Sequence, residues 1–317
     1  MTIDRSATVL GIDLSKNSLD AYLLPQGLSW HVKNDPDAIA EWVKQLPRDI
    51  SLVVMEASGG LQNLPAAVFA EANLPVAIVN PKQVRDFTKA SGQHAKTDAI
   101  DAQMIAQFGV KMQPSPRQLP NEAQALLAEL LARRRQLVQN RVAELNRQKT
   151  AKAEPIRRNI TANIQWHEKL LAEIDNDIDE QVRNSPMWRV NEQLLTSVPG
   201  VGTTTARALL GQLPELGRLP RRKLSALAGL APFARDSGRW RGKRFVCGGR
   251  AQVRASLYMA ALCASRCNPV LSTFYRRLID NGKPPKLALT AVMRRLLTIL
   301  NAIIRDQKPW CNCTINP

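Results

Sequence analysis

Four acids of this sequence have the residue types and the spacing of a site that binds divalent cations. Asp13 ends the apolar segment TVLGID, and Glu56 ends the apolar segment LVVME. If these segments form neighbouring parallel strands, both carboxylates emerge at the carboxyl edge of the sheet, where α/β proteins form their sites. Asp98 and Asp101 in KTDAIDA are three residues apart, so one face of a helix would carry both.

Four carboxylates gathered in one place repel one another unless cations lie between them. Hard divalent ions with oxygen ligands, Mg²⁺ or Mn²⁺, meet that need. Two such ions about 4 Å apart would stabilise both the attacking and the leaving oxygen of a phosphodiester. We therefore predict a site for two Mg²⁺ or Mn²⁺ ions.

Each acid also has a structural interpretation. Asp13 could be an ordinary turn residue at a strand end, and Asp98 and Asp101 could simply favour the positive end of a helix dipole. Glu56 fits a structural role least well, because a carboxylate that directly follows Leu-Val-Val-Met is costly to bury unless it is paired or metal-bound.

Ser237 is a candidate nucleophile in a strongly basic segment. Within residues 235–244 there are five cationic residues, namely Arg235, Arg239, Arg241, Lys243 and Arg244. A serine hydroxyl becomes nucleophilic only next to a base, a metal or a cationic surround. Because Asp-Ser-Gly is common turn chemistry, the residues alone favour a loop serine.

The elements that must position the acids follow from hydrophobic patterning. Apolar or alternating segments predict strands over Thr8–Asp13, Ser18–Leu24, Leu28–Val32, Leu52–Met55 and Val76–Val79. Helical spacing predicts helices over Asp35–Leu46 and Leu61–Ala72. Three meander strands, a helix, a parallel strand, a helix and a further strand are the order of the ribonuclease-H-like α/β fold.

Helices dominate the rest of the chain. Thr97 is a predicted N-cap for a helix over Asp98–Val110. A long helical pattern runs from Glu122 to about Ile178, and we expect Pro155 to divide it into an antiparallel, coiled-coil arm. We predict three domains: an α/β domain over residues 1–120, a helical arm over 121–186, and a mostly α-helical basic domain over 187–317.

The positive charge of the chain is concentrated in its last third. The 317 residues carry a net charge of +17, and residues 187–317 alone hold 22 Lys and Arg against 5 Asp and Glu. Such an excess is typical of a protein that binds a polyanion. A solubilising surface or an anionic-lipid patch are the alternatives, but no amphipathic anchor or lipidation motif supports a membrane role.

The composition also argues against several other classes of protein. We find no unbroken apolar run near the ~18 residues of a membrane span and no signal peptide, so we expect a soluble, cytoplasmic protein. Five cysteines in a chain of this length give no secreted disulfide framework. Cys311 and Cys313 lack the spacing of a zinc site, and we assign them no role.

A turn in the basic domain has the pattern of a helix-hairpin-helix element. Leu194–Leu210 contains PGVG followed by a helix of small residues. Gly200 and Gly202 allow close backbone approach, and the next helix start could hold a phosphate, with Arg207 nearby. The same turn could serve only for helix packing, and the sequence leaves both interpretations open.

GIDLSK, MEASGG, Asn80-Pro81 and KTDAIDA resemble the DEDD transposases of insertion sequences and the related site-specific DNA invertases. AGLAP, SG…RG, GGRAQVRASLYMAAL and FYRRLIDNGKPPKLALTAVMRRLL resemble their C-terminal transposase domain. The resemblance implies a RuvC-like first domain whose metal-binding catalytic acids are Asp13, Glu56, Asp98 and Asp101. It also implies that Ser237 is the nucleophile.

The resemblance implies partners as well. It implies donor and target double-stranded DNA, a structured guide RNA encoded by the element (a bridge RNA), a 5′-phosphoserine linkage, and a homodimer or homotetramer. Candidate nucleic-acid contacts are Gly200, Gly202, Arg207, Arg235, Arg239, Arg241, Lys243, Arg244, Arg250 and Arg254.

Three other functions remain as alternatives at this stage. One is a metal-only junction resolvase in which Ser237 is inert. Another is a sugar or acetate kinase, whose fold shares the first strands, although we find no glycine-rich phosphate turns suited to that role. The last is a nucleic-acid-binding factor without enzymatic activity. The sequence does not distinguish insertion, excision and inversion, nor does it identify the DNA sites.

Overall fold

The structure is a computed structural model that describes residues 7–92, 97–116, 122–234, 236–238, 240–242 and 244–311, except for the side chain of Asp98. The chain folds into two compact units, Met1–Leu119 and Pro120–Pro317. The helices predicted as an arm belong to the same unit as the basic region that follows them.

A five-stranded mixed sheet forms the centre of the first unit. The strands are β1 (Thr8–Leu14), β2 (Ser18–Leu24), β3 (Leu28–Lys33), β4 (Ile50–Glu56) and β5 (Val76–Val79). Their order is β3-β2-β1-β4-β5, in which β1, β2 and β3 form an antiparallel meander and β4 lies parallel to both β1 and β5. The predicted strands and the predicted mixture of α and β structure are confirmed.

Helices cover both faces of this sheet. They are α1 (Pro36–Gln45), α2 (Asn63–Glu71), α3 (Pro81–Ala90) and α4 (Asp98–Met112). One face of the sheet buries Leu10, Ile12 and Met55 against α1 and α2. The other face packs against α3 and α4 through side chains that include Val84 and Ile105. Helix α3 was not predicted from the sequence.

Two long antiparallel helices open the second unit. They are α5 (Glu122–Thr150) and α6 (Glu154–Asn184), and Pro155 lies in the first turn of α6. The predicted break is therefore correct, because proline fits the first turn of a helix but not its interior. The ion pairs Arg134–Asp175 and Arg141–Glu168, at 2.6 and 3.0 Å, hold the pair in register.

The remainder of the second unit is mostly helical. Its helices are α7 (Pro186–Thr196), α8 (Thr203–Gln212), α9 (Arg221–Leu227), α10 (Ala251–Cys267), α11 (Pro269–Asp280) and α12 (Pro285–Asp306). Within the described part of this unit, two-residue strands interrupt the helices, namely β6 (Pro232–Phe233), β7 (Asp236–Ser237), β8 (Trp240–Arg241) and β9 (Phe245–Val246). One hydrophobic core unites these helices, and α12 contributes Val292, Leu296 and Leu300 to it.

Within the described residues, α12 is the one helix long and apolar enough to cross a membrane. Of its most apolar stretch, 56% is buried inside the second unit, and the helix carries Arg294 and Arg295. These features are typical of the core helix of a folded unit.

Candidate active site

The carboxyl ends of β1 and β4 lie side by side. The two strands are parallel with Ile12 opposite Met55, and the next residue of each strand is an acid, Asp13 or Glu56. Ile12 and Met55 are fully buried on one face of the sheet. Since successive side chains of a strand point to opposite faces, Asp13 and Glu56 share the other face. Both acids are half-buried, and the register makes them neighbours at the carboxyl edge.

Helix α4 crosses that same face in backbone contact with β1. A Cβ atom on Gly11 would lie 2.2 Å from the amide nitrogen of Ala106 and 2.4 Å from the carbonyl oxygen of Ala102. Further along the helix, a Cβ atom on Gly109 would lie 2.6 Å from Cγ1 of Val9. Because the later helix residue meets the earlier strand residue, α4 runs antiparallel to β1.

This direction brings the first turn of α4 to the Asp13 end of the strand. Asp98 and Asp101 belong to that turn. Thr97 caps the helix as predicted, and its hydroxyl accepts a hydrogen bond from the amide of Ile100 at 3.3 Å. Asp101 is half-buried. The backbone therefore gathers all four predicted acidic positions at one edge of the first unit, although the side chain of Asp98 lies outside the described part.

The chemistry of this donor set fits a divalent cation only when the four acids are taken together. Among the side chains that the structure describes, no group of three or more acids, histidines or cysteines is arranged to hold a metal ion. Asp13, Glu56 and Asp101 each take part in a polar interaction. Four carboxylates supply the hard oxygen ligands that Mg²⁺ and Mn²⁺ prefer.

Replacing Gly11 with alanine is expected to destabilise the first unit by about 3 kcal/mol, the upper range for overpacking a core. The added Cβ would meet backbone atoms of Ala102 and Ala106, so α4 itself must move. Thermal unfolding measures the loss. Gly202→Ala is the control, because nothing lies within 4 Å of a Cβ at that position. Equal melting temperatures for the two variants would contradict the close packing of α4 on β1.

Ser237 lies beside the turn of a small β-structure that we call the serine hairpin, residues 232–246. Strands β6 and β9 pair at its base, and β7 and β8 pair at its tip, where Ser237 is opposite Trp240. Gly238 follows Ser237 with φ of +55°, a conformation that favours glycine. The side chain of Ser237 is exposed. The turn chemistry expected of Asp-Ser-Gly is therefore present.

Asp236 forms ion pairs with two arginines of the serine hairpin. Its carboxylate lies 3.4 Å from Nη1 of Arg241 and 3.0 Å from Nη2 of Arg244, and it accepts a hydrogen bond from the amide of Gly242 at 3.2 Å. Arg241 remains 80% exposed and Arg244 51% exposed. Asp236 was not singled out from the sequence, although Asp-Ser-Gly contains it. The other predicted nucleic-acid contacts of this segment lie outside the described residues, namely Arg235, Arg239 and Lys243.

The two glycines of the predicted helix-hairpin-helix turn have different surroundings. Gly200, with φ of +98°, packs against α10, where a Cβ atom would lie 2.5 Å from the amide nitrogen of Ala264. This contact supports the packing interpretation for Gly200. Gly202 is the N-cap of α8 and faces open space, so the exposed amide end of that helix remains available to a phosphate.

Arg207 forms ion pairs inside the second unit. Its Nε lies 2.6 Å from Oε1 of Glu192 and its Nη1 lies 2.5 Å from Oδ1 of Asp179, which links α6, α7 and α8. Burial acts to lower the pKa of the Arg207 guanidinium, but its bonds to both carboxylates outweigh that effect and raise the pKa. Its side chain is 19% exposed, so we do not include Arg207 among the proposed phosphate contacts.

Arg250 and Arg254 are also engaged within the second unit. Both terminal nitrogens of Arg250 lie 2.6 Å from carboxylate oxygens of Glu215, and Nη1 also donates to the carbonyl of Gln212 at 2.8 Å. Arg254 donates to the carbonyl of Gly248 at 2.7 Å. These two arginines stabilise the loops on either side of α9 and the start of α10. Of the predicted arginine contacts that are described, Arg241 and Arg244 are the exposed ones.

Comparisons with known proteins match both units. A transposase family model of the IS110 DEDD type matches residues 10–151, which include all four acids. A second model, for the transposase IS116/IS110/IS902 family, matches residues 192–276, which include the serine hairpin. The two matches together cover more than two thirds of the chain.

Relatives with curated descriptions agree with the family models. The pilin gene-inverting proteins of Moraxella lacunata and Moraxella bovis are each 28% identical, over 96% of this chain and 98% of their own length. An uncharacterised 43.6 kDa protein of the insertion element IS110 from Streptomyces coelicolor is 33% identical over 36% of this chain and 28% of its own length. The chain belongs to this family of DEDD transposases and DNA invertases, and it is a DNA recombinase.

Proposed function

We propose that this recombinase cuts and rejoins DNA through a covalent phosphoserine formed by Ser237, with the four acids as its metal-binding set. The proposal is supported by the backbone positions of Asp13, Glu56, Asp98 and Asp101, which lie at one edge of a sheet. The strand order supports a RuvC-like, ribonuclease-H-like first unit. A second unit with an exposed serine among cations supplies the nucleophile.

The four acids would hold divalent metal, Mg²⁺ or Mn²⁺, as two ions. When bound, such metal supplies positive charge that stabilises both the attacking and the leaving oxygen of the phosphodiester. By holding such metal, the acids would orient the scissile phosphate. The three described acids are half-buried at the edge of the sheet.

The serine step conserves the phosphodiester. The Oγ of Ser237 forms a bond to phosphorus as the bond from phosphorus to the 3′ oxygen breaks. The serine loses one proton to the surrounding water and the 3′ oxygen gains one, so atoms and charge balance. The product is a 5′-phosphoserine and a free 3′ hydroxyl, and the reverse reaction with another 3′ hydroxyl rejoins strands without a nucleotide cofactor.

The basic second unit would bind nucleic acid. Its exposed cations within the described residues include Arg218, Arg221, Arg222, Lys223, Arg241, Arg244, Arg276, Arg277, Lys283, Lys286 and Arg294. Such a surface binds phosphate backbone rather than base sequence. We therefore propose that a structured guide RNA supplies sequence choice by base pairing, as in RNA-guided nucleases, and that a dimer or tetramer holds donor and target DNA.

DNA inversion is a second candidate outcome of the same chemistry. It is favoured by the two pilin gene-inverting proteins, which match this chain over nearly their whole length. The insertion-element protein matches over a smaller part. Inversion and transposition use the same cleavage step and differ in which ends are rejoined.

The test uses the intact protein, the DNA that flanks its gene, and RNA transcribed from that DNA. We expect the 3′-labelled downstream strand to remain bound to protein after denaturation, and the 5′-labelled upstream strand to be released with a 3′ hydroxyl. A chelator should abolish both products. Strand cleavage without any protein-bound label would favour a metal-only resolvase. Sequencing of the joined ends distinguishes an inverted segment from an excised circle.

A further inference from the structure

Trp240 holds a fixed position next to Ser237. The two residues are directly opposite each other at the tip of the serine hairpin. Residues paired in this way point to the same face of the hairpin, with Cβ atoms about 5 Å apart. Asp236 and Arg241 form the next pair and point to the opposite face. The hydroxyl and the indole therefore form one small surface.

The side chain of Trp240 is largely exposed. It is 62% exposed, whereas Trp42 and Trp188 lie in the hydrophobic cores at 5% and 4%. A large aromatic side chain that stays in water does not contribute the stabilising free energy that its burial would provide. At the tip of the serine hairpin this exposed ring is available to stack on a ligand.

The charges around Trp240 indicate which ligand. Arg241 follows it directly and is 80% exposed, and Arg244 is 51% exposed. Asp236 holds both guanidiniums against the hairpin. A flat aromatic face beside cations is the combination with which proteins bind unstacked nucleotides, since the ring stacks on the base and the cations neutralise phosphate. An apolar protein partner or a membrane interior would not favour these cations.

We propose that Trp240 stacks on an unstacked DNA base next to the phosphate that Ser237 attacks, and so positions that phosphate. The inference rests on the proposed function of Ser237. A nucleotide's base and phosphate are joined through one sugar, so a base stacked on Trp240 keeps its phosphate close to the serine hydroxyl. Trp240 is thus a positioning residue, and the cleavage rate at saturating DNA depends on it.

The experiment replaces Trp240 with leucine, which is apolar but cannot stack, and with phenylalanine, which can. At saturating DNA we expect Trp240→Leu to form the covalent adduct about 5- to 100-fold more slowly, given the typical strength of base stacking. Trp240→Phe should restore the rate to within about 3-fold, because most of the stacking face is retained. Trp166→Leu is the matched control, since Trp166 is also exposed, at 56%, and lies on α6.

A second measurement does not depend on cleavage. The fluorescent base 2-aminopurine is placed next to the cleavage site, and its quenching is followed in the Ser237→Ala background. We expect quenching when Trp240 is present and in Trp240→Phe. Quenching should be lost in Trp240→Leu and unchanged in Trp166→Leu. If Ser237→Ala still forms adduct, the proposed function fails, whereas quenching by Trp240 would still show stacking.

Several results would overturn the inference. Trp240→Leu could cleave at the wild-type rate, or Trp240→Phe could be as slow as Trp240→Leu. Quenching could occur only with a labelled RNA and not with labelled DNA. Finally, Trp240→Leu could change the oligomeric state with no change in quenching, which would assign the exposed indole to a contact between protein chains.

Discussion

Ser237→Ala is expected to abolish the covalent protein–DNA adduct and to reduce recombination by at least about 10³-fold, as removal of a nucleophile does in other covalent enzymes. The side chain is exposed at the tip of the serine hairpin, so removal of its hydroxyl leaves no buried group without a partner. We therefore expect an unchanged melting temperature and unchanged DNA affinity. Adduct is measured by denaturing gel and recombination by sequencing of the joined ends.

Ser91→Ala is the control for this variant. Ser91 is also exposed, and its hydroxyl donates to the carbonyl of Phe87 at the end of α3. We expect it to form adduct at the wild-type rate. Recombination at a normal rate by Ser237→Ala would assign the chemistry to the acids alone and would leave the serine hairpin with a binding role.

The strands of the first unit could be predicted because their apolar residues are the ones that the sheet buries. In β4, Leu52–Met55 is apolar throughout, as expected of a strand with helices on both faces. The prediction that Asp13 and Glu56 share one edge of the sheet followed from the assumption that β1 and β4 are parallel neighbours, whereas their register was not predicted. The structure bears out that assumption.

Helix α3 illustrates what patterning misses. It buries only Val84 among its ten residues, and the rest of Pro81–Ala90 is largely charged or polar. Such a helix offers few apolar positions, mainly Val84 and Phe87, from which a helical period could be established. The available signal was local, since the side chain of Asn80 caps the helix by accepting from the amide of Lys82, and Pro81 opens it.

In both units, contacts between residues far apart in the chain could not be predicted from the sequence. Gly11 is visible as a glycine in a strand, but its contact with Ala102 and Ala106 depends on the fold. Arg207 was interpreted as a phosphate contact because it follows a glycine turn, whereas its partners, Glu192 and Asp179, lie on two other helices. Cationic residues in a basic domain cannot be divided into structural and binding groups from composition alone.

The serine hairpin was missed because its strands are two residues long. Alternation needs at least four residues to be recognised. Asp-Ser-Gly correctly predicted a turn, but not that Ser237 would pair with Trp240 or that Asp236 would hold Arg241. These pairings determine which side chains lie next to the exposed Ser237.

Asp13→Asn combined with Glu56→Gln is expected to reduce adduct formation and recombination by about 10³-fold or more, since the loss of even one electrostatic stabiliser typically costs about 10²–10³-fold. Both substitutions keep the shape of the side chain and remove its charge. Relief of repulsion between like charges favours the apo double variant, whereas the polar interactions that both acids make are weakened, so we expect the variant to remain folded. Addition of Mn²⁺ should raise the melting temperature of the wild type but not of the double variant.

Asp86→Asn combined with Glu71→Gln is the matched control, because both acids are exposed and lie on helices, α3 and α2. We expect this control to retain activity and the shift in melting temperature with Mn²⁺. The two readouts separate two explanations. A double variant of Asp13 and Glu56 that lost activity but kept the Mn²⁺ shift would show that these acids act without binding metal. Recombination at the wild-type rate by the double variant would show that Asp13 and Glu56 are not part of the active site. The charge at this edge of the sheet would then have no role in the chemistry.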